Sequence, residues 1–261
     1  MIVSALVVIV IGGGITVGVL QKVQKWKREA AEWTALGFEA QCIAAECESR
    51  PDTVEHHVLC LGNSITLHHP MSTIPGADPL WRGDWGMCAS RPDNDYVHQL
   101  ETMFQLTNPC STVTGVNIAP FERNFSLSLD SLIGPLCQGK DIIVLKIGEN
   151  VVNCEGYYEA FNYLVDYCLR YTPGVYIVGS YWKNLQKERA MVAVAREHHL
   201  PYIPLFWISE LYSDKVQFAV GDTIYDTNGS PYPIVNDFFI SHPNDQGMRM
   251  IADAIYRRIA R

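Results

Sequence analysis

Short apolar runs alternate with amphipathic stretches along most of this chain. The runs at 57–61, 112–116, 141–147, 175–180 and 202–205 have strand length, whereas 95–104, 157–171, 185–199 and 246–259 repeat their apolar positions with helical spacing. This alternation predicts an α/β domain over residues 52–261, with a parallel sheet covered by helices on both faces. Two long stretches, 66–94 and 213–236, fit neither pattern. Irregular segments of that length within a compact domain usually serve as lids or pocket walls. In an open parallel sheet the ligand sits beyond the carboxyl ends of the strands, where both stretches are expected to emerge.

The N-terminus has a different pattern. Residues 2–20 carry no charge, about the length needed to cross a bilayer as a helix, so 1–20 is expected to be a transmembrane anchor or an uncleaved signal segment. Gly12, Gly13, Gly14 and Gly18 argue against a buried core helix there. Residues 21–51 are rich in Ala, Glu and Lys, have helical periodicity and end at Pro51, which predicts a juxtamembrane helix. The nearest basic residues, Lys22, Lys25, Lys27 and Arg28, favour a cytoplasmic domain by the positive-inside rule. The expectation is a single-pass anchored protein with its domain extracytoplasmic, and the opposite topology is the alternative.

Charge narrows the partners. Twenty basic against 28 acidic residues give −8, which leaves no basic stripe for nucleic acid. The eight cysteines include no CxxC and no Cys/His cluster at zinc spacing. Cys60 lies in an apolar run and is expected in the core, while Cys42 and Cys47, in a helical segment outside the core pattern, are able to pair with other cysteines in an oxidising compartment. The pairs His56–His57 and His68–His69 do not suggest a metal, because neighbouring residues on a strand point to opposite faces. No metal or other cofactor is expected.

Three segments carry candidate chemistry. The first strand runs into Gly62-Asn63-Ser64-Ile65-Thr66, which places a serine at a strand-to-loop transition, with its hydroxyl and its N–H at the top of the sheet. Such a segment is also ordinary turn chemistry. The third strand ends in Gly148-Glu149-Asn150, where the Asn150 amide suits either a developing oxyanion or the cap of the next helix. His242, held out of a helix by Pro243, precedes the last amphipathic stretch in His242-Pro243-Asn244-Asp245-Gln246-Gly247.

In their order and positions these segments resemble the SGNH/GDSL hydrolases, over about residue 54 to the C-terminus. The resemblance implies a flavodoxin-like three-layer α/β/α sandwich with a mostly parallel five-stranded sheet. It makes Ser64 the nucleophile and an oxyanion donor, Asn150 a second donor and His242 the general base. Two departures stand out. Where the family has a glycine after the second strand, this chain reads Gly115-Val116-Asn117-Ile118-Ala119-Pro120, so Ala119 would donate the backbone N–H, with the glycines of Gly83-Asp84-Trp85-Gly86 as the alternative. Where the family has its acid, three residues before the histidine, stands Phe239. Asp237 is then the candidate acid, and a Ser–His dyad oriented by a main-chain carbonyl is the alternative.

Trp81, Asp84 and Trp85, together with Glu149, are the expected substrate contacts. Two indoles near an arginine and an aspartate suit a sugar, although they equally suit the anchoring of a long loop. Glu122-Arg123 reads as a loop ion pair close to the site. The expected function is ester hydrolysis through an acyl-enzyme, with deacetylation of a saccharide or cell-envelope polymer favoured. A lipid esterase or thioesterase, or a catalytically impaired membrane-tethered binding module, are the competing readings.

Overall fold

The computed structural model describes residues 54–71, 80–235 and 237–260. The expected anchor at 1–20, the helix at 21–51, Cys42 and Cys47 lie outside the described residues. No helix among the described residues is long and apolar enough to cross a membrane.

Five of the strands form one parallel sheet: β1 (His57–Gly62), β2 (Thr112–Asn117), β3 (Ile142–Leu145), β4 (Gly174–Val178) and β5 (Tyr202–Ile203), in the order β2-β1-β3-β4-β5. Successive side chains on a strand point to opposite faces. Val58 and Cys60 of β1 and Ile142 and Val144 of β3 therefore enter one core, and Leu59, Leu61, Ile143 and Leu145 the other. Both cores exclude water, which is why these strands read as continuous apolar runs. Each fully buried Val or Leu contributes about 1.5–3 kcal/mol over exposure.

The first core is covered by α1 (Tyr96–Gln105) and the C-terminal helix α9 (Asp245–Ile259). The second is covered by α5 (Tyr157–Leu169) and α6 (Leu185–Glu197). Side chains start three of these helices: Asp95 accepts from His98 N–H, Asn184 from Lys187 N–H and Asn244 from Gly247 N–H. Between β2 and β3 the chain forms the short helices α2 (Ala119–Arg123), α3 (Leu129–Leu132) and α4 (Gly134–Cys137), and α7 (Phe206–Tyr212) follows β5. The β3 register ends at Leu145, two residues before the end of its apolar run, and the Lys146 N–H still donates to Leu61 O of β1.

The described parts of both irregular stretches pack into the first core, through Trp81, Trp85 and Met87 of one and Val216, Ile224 and Ile234 of the other. Residues 213–236 contain an antiparallel hairpin of β6 (Thr223–Tyr225) and β7 (Pro231–Pro233), and Asp226 closes its turn by accepting from Asn228 and Ser230 N–H. The hairpin grips the other stretch through Arg82 stacked over Tyr232 and Arg91 over Tyr225. Asp245, at the start of α9, accepts from Ser90 N–H, Ser90 Oγ and Asn94 Nδ2 and so ties the same stretch to the histidine-bearing segment.

Candidate active site

β1 delivers Ser64 through a turn that its neighbours close. Asn63 O accepts from Thr66 and Leu67 N–H, and Asn63 Oδ1 accepts from Ile65 N–H. Gly62 is required because Thr66 folds back on it: a Cβ there would lie 1.8 Å from Thr66 Oγ1. Ser64 is half-buried at the end of the strand, and its N–H meets no acceptor among the described residues. Its hydroxyl lies 3.2 Å from His242 Nε2.

His242 is buried, at 3% exposure, on the segment between α8 (Asp237–Ile240) and α9. Its N–H donates to Phe239 O, and the Trp182 indole stands edge-on to the imidazole with ring centroids 5.2 Å apart. Trp182 Nε1 donates to Ser241 O, so one side chain braces both the ring and the chain leading into it. Asp237, the expected acid, is exposed at the first position of α8, the helical turn that precedes His242. The reason is local. The helical turn from Asp237 to Ile240 sends Asp237 to solvent and buries Phe239 at the position the family gives to the acid.

Behind the serine lies a buried polar cluster. Glu149, expected to face substrate, is instead buried: Oε1 accepts from Lys146 Nζ at 2.6 Å and from Tyr181 N–H, and Oε2 from Asn63 Nδ2 at 2.7 Å. Burial pushes its carboxyl up, but the Lys146 ammonium and these hydrogen bonds outweigh that and hold it below its ordinary value. Glu122 is also buried and does not form a surface ion pair. One oxygen accepts from Gly148 N–H and, at 3.3 Å, from Asn150 N–H and Asn63 Nδ2; the other accepts from Asn150 Nδ2 at 2.7 Å. Burial and the nearby Glu149 charge raise its pKa against the pull of these donors. Glu122 thus links Asn150, one of whose amide hydrogens it holds, to Asn63 in the Ser64 turn.

The other expected contacts part company. Trp81 and Trp85 are buried edge-to-face in the first core, donating to His68 O and Ala89 O. Their rings therefore anchor the long loop and offer no face for stacking a sugar. Asp84 is exposed and hydrogen-bonds His69. The Ala119 N–H is taken by Asn117 Oδ1 at 2.9 Å, and of the alternative glycines Gly86 donates its N–H to Asp95. Sequence reasoning gave no role to Lys146, Glu188 or Trp182. A lysine inside the apolar run of the third strand was the available signal, since a buried charge demands a partner.

Glu188 also lies against this cluster. It is fully buried; Oε1 accepts from Ser180 N–H, and Oε2 has no hydrogen-bond partner among the described residues. Burial, with the Glu149 charge adding to it, pushes the Glu188 pKa up from 4.5 to about 8. Between those values the folded state keeps a proton that the unfolded chain releases, so Glu188 costs stability as pH rises through that window. Glu188→Gln, neutral at every pH and still able to accept from Ser180, is expected to melt higher than wild type at pH 8 and nearly level with it at pH 5. Parallel melting temperatures across that range would disprove the assignment.

No family model and no curated protein matches the chain. Solved structures match its fold. A catalytic mutant of Axe2, an acetylxylan esterase from Geobacillus stearothermophilus, superposes with TM-score 0.54 at 14% identity, over 80% of this chain and 96% of that one. The chain shares an α/β esterase fold. LAE5, an α/β hydrolase enzyme from the metagenome of Lake Arreo, Spain, gives TM-score 0.50 at 16% identity over 79% of this chain and 97% of its own. A two-domain esterase active on acetylated mannans gives 0.51 at 17% identity over 78% of this chain, which spans 49% of that protein.

Proposed function

We propose that this chain is a serine-dependent ester hydrolase of SGNH type that removes acetyl groups from a saccharide or cell-envelope polymer through an acyl-enzyme. The observation that carries the reading is the 3.2 Å contact between Ser64 Oγ and His242 Nε2 at the carboxyl end of a parallel sheet. His242 Nε2 takes the hydroxyl proton as Ser64 Oγ attacks the ester carbonyl. The oxyanion is stabilised by the Ser64 N–H and by the Asn150 amide hydrogen that Glu122 does not hold. The intermediate collapses, the alkoxide leaves with the proton from His242, and water deprotonated by the same nitrogen releases the acid. Asp237 stands in solvent, and Trp182 and the main chain brace the imidazole and the chain leading into it.

The acetyl-saccharide preference rests on the fold shared with esterases of acetylated xylan and mannan; Asp84 remains the exposed candidate for a hydroxyl contact. In the same reading residues 1–20 tether the domain to the outer face of a membrane. A panel of p-nitrophenyl acetate, a long-chain p-nitrophenyl ester and acetylated xylooligosaccharide tests the substrate class. The acetyl substrates are expected to give kcat/KM at least about tenfold above the long chain, the scale on which an apolar pocket discriminates acyl length. Turnover of the long chain alone would establish a lipid esterase instead.

A further inference from the structure

We infer that Glu122 is a positioning residue that fixes which end of the Asn150 amide faces the reacting carbonyl. The inference rests on the proposed hydrolase reading. Glu122 leaves the first turn of α2, just past β2, yet it binds the ends of two other strands: Asn63, beside the nucleophile at the end of β1, and Gly148 and Asn150 beyond β3. An ionised carboxylate only accepts hydrogen bonds, so while Glu122 is ionised whatever meets its Oε2 must donate. That requirement selects Nδ2 of Asn150 over Oδ1, at 2.7 Å, and leaves the second Nδ2 hydrogen for an oxyanion. An asparagine amide is otherwise nearly symmetric in shape, and in the flipped orientation Oδ1 would turn a lone pair toward the developing negative charge. Glu122 itself is 3% exposed and lies behind the loop, so it acts through Asn150 and not on substrate.

Glutamine at 122 keeps the shape but provides one acceptor and one donor. If its oxygen serves the Gly148 and Asn150 N–H groups, its amide nitrogen faces Asn150 and favours the flipped side chain. Glu122→Gln is therefore expected to lower kcat for p-nitrophenyl acetate by about 10- to 100-fold, approaching the loss of one oxyanion donor, with KM within about threefold of wild type. The effect should vanish in an Asn150→Ala background, where no amide remains to be oriented. A kcat within about threefold of wild type, or an equal fractional loss in both backgrounds, would overturn the inference. A wild-type protein that neither turns over ester nor is labelled by a fluorophosphonate would instead remove the hydrolase reading, and this inference with it. If Glu122→Gln does not fold, side-chain amide NMR of the wild-type protein decides. One Asn150 amide proton should be strongly protected from exchange, and a pair exchanging like an exposed asparagine would refute the clamp.

Discussion

Ser64→Ala is expected to lower kcat by about 10⁴-fold or more on any ester this protein turns over, and to abolish labelling by a fluorophosphonate probe. In the proposed mechanism the variant removes the atom that forms the acyl bond, and it leaves the surrounding turn intact, because Asn63 and Thr66 hold it through groups other than the Ser64 hydroxyl. Melting should therefore stay within a few degrees of wild type. His242→Ala is expected to match it, and the double variant should be little worse than either, as for groups that act as one unit. Asp237→Asn tests the expected acid: loss of an exposed aspartate should cost less than about fivefold, whereas removal of an orienting acid costs about 10⁴-fold. A folded wild-type domain that stays unlabelled would favour the impaired binding module.

Gly62→Ala should be the most damaging small substitution near the site. The added Cβ would lie 1.8 Å from Thr66 Oγ1, 2.7 Å from Thr66 Cβ and 3.0 Å from Lys146 O. Thr66 has no easy retreat. It is buried and its hydroxyl pairs with Tyr96 Oη at 2.8 Å inside the first core, so turning it away strands a buried phenol. Overpacking of this kind costs about 3 kcal/mol, roughly 6–12 °C in Tm for a domain of this size. Any relief by movement of the turn displaces Ser64, and an ångström of misplacement costs on the order of 100-fold in rate. Thr66→Gly removes the obstructing atoms, so the double variant should recover part of the stability lost in Gly62→Ala although Thr66→Gly alone destabilises. Additive losses, or a Gly62→Ala protein as stable and active as wild type, would refute the contact.

The elements were legible because their signals are local. An apolar run such as 57–61 records burial on both faces of a strand, and helical spacing at 95–104 and 246–259 records a single covered face. The turn after β1 was legible for the same reason: glycine, asparagine and serine in series state the backbone geometry that the chain adopts there. The second irregular stretch hid a hairpin, whose strands of three residues are too short to show a period of two.

The site divides along the same line. Sequence alone supplied Ser64, His242 and Asn150 as residue types at element ends, and the parallel order of the strands brings the first two to 3.2 Å across 178 positions of sequence. What sequence left open was which way each surrounding side chain turns. The Trp81 and Trp85 indoles, equally suited to a sugar or a core, went to the core; Glu149 went to Lys146; Glu122, beside an arginine in the chain, went to amide donors from two other strands. A residue's type fixes what it is able to bond, and local pattern fixes the element that carries it. Its partner and its access to water are set by segments far away in the chain, so only the packed structure decided them.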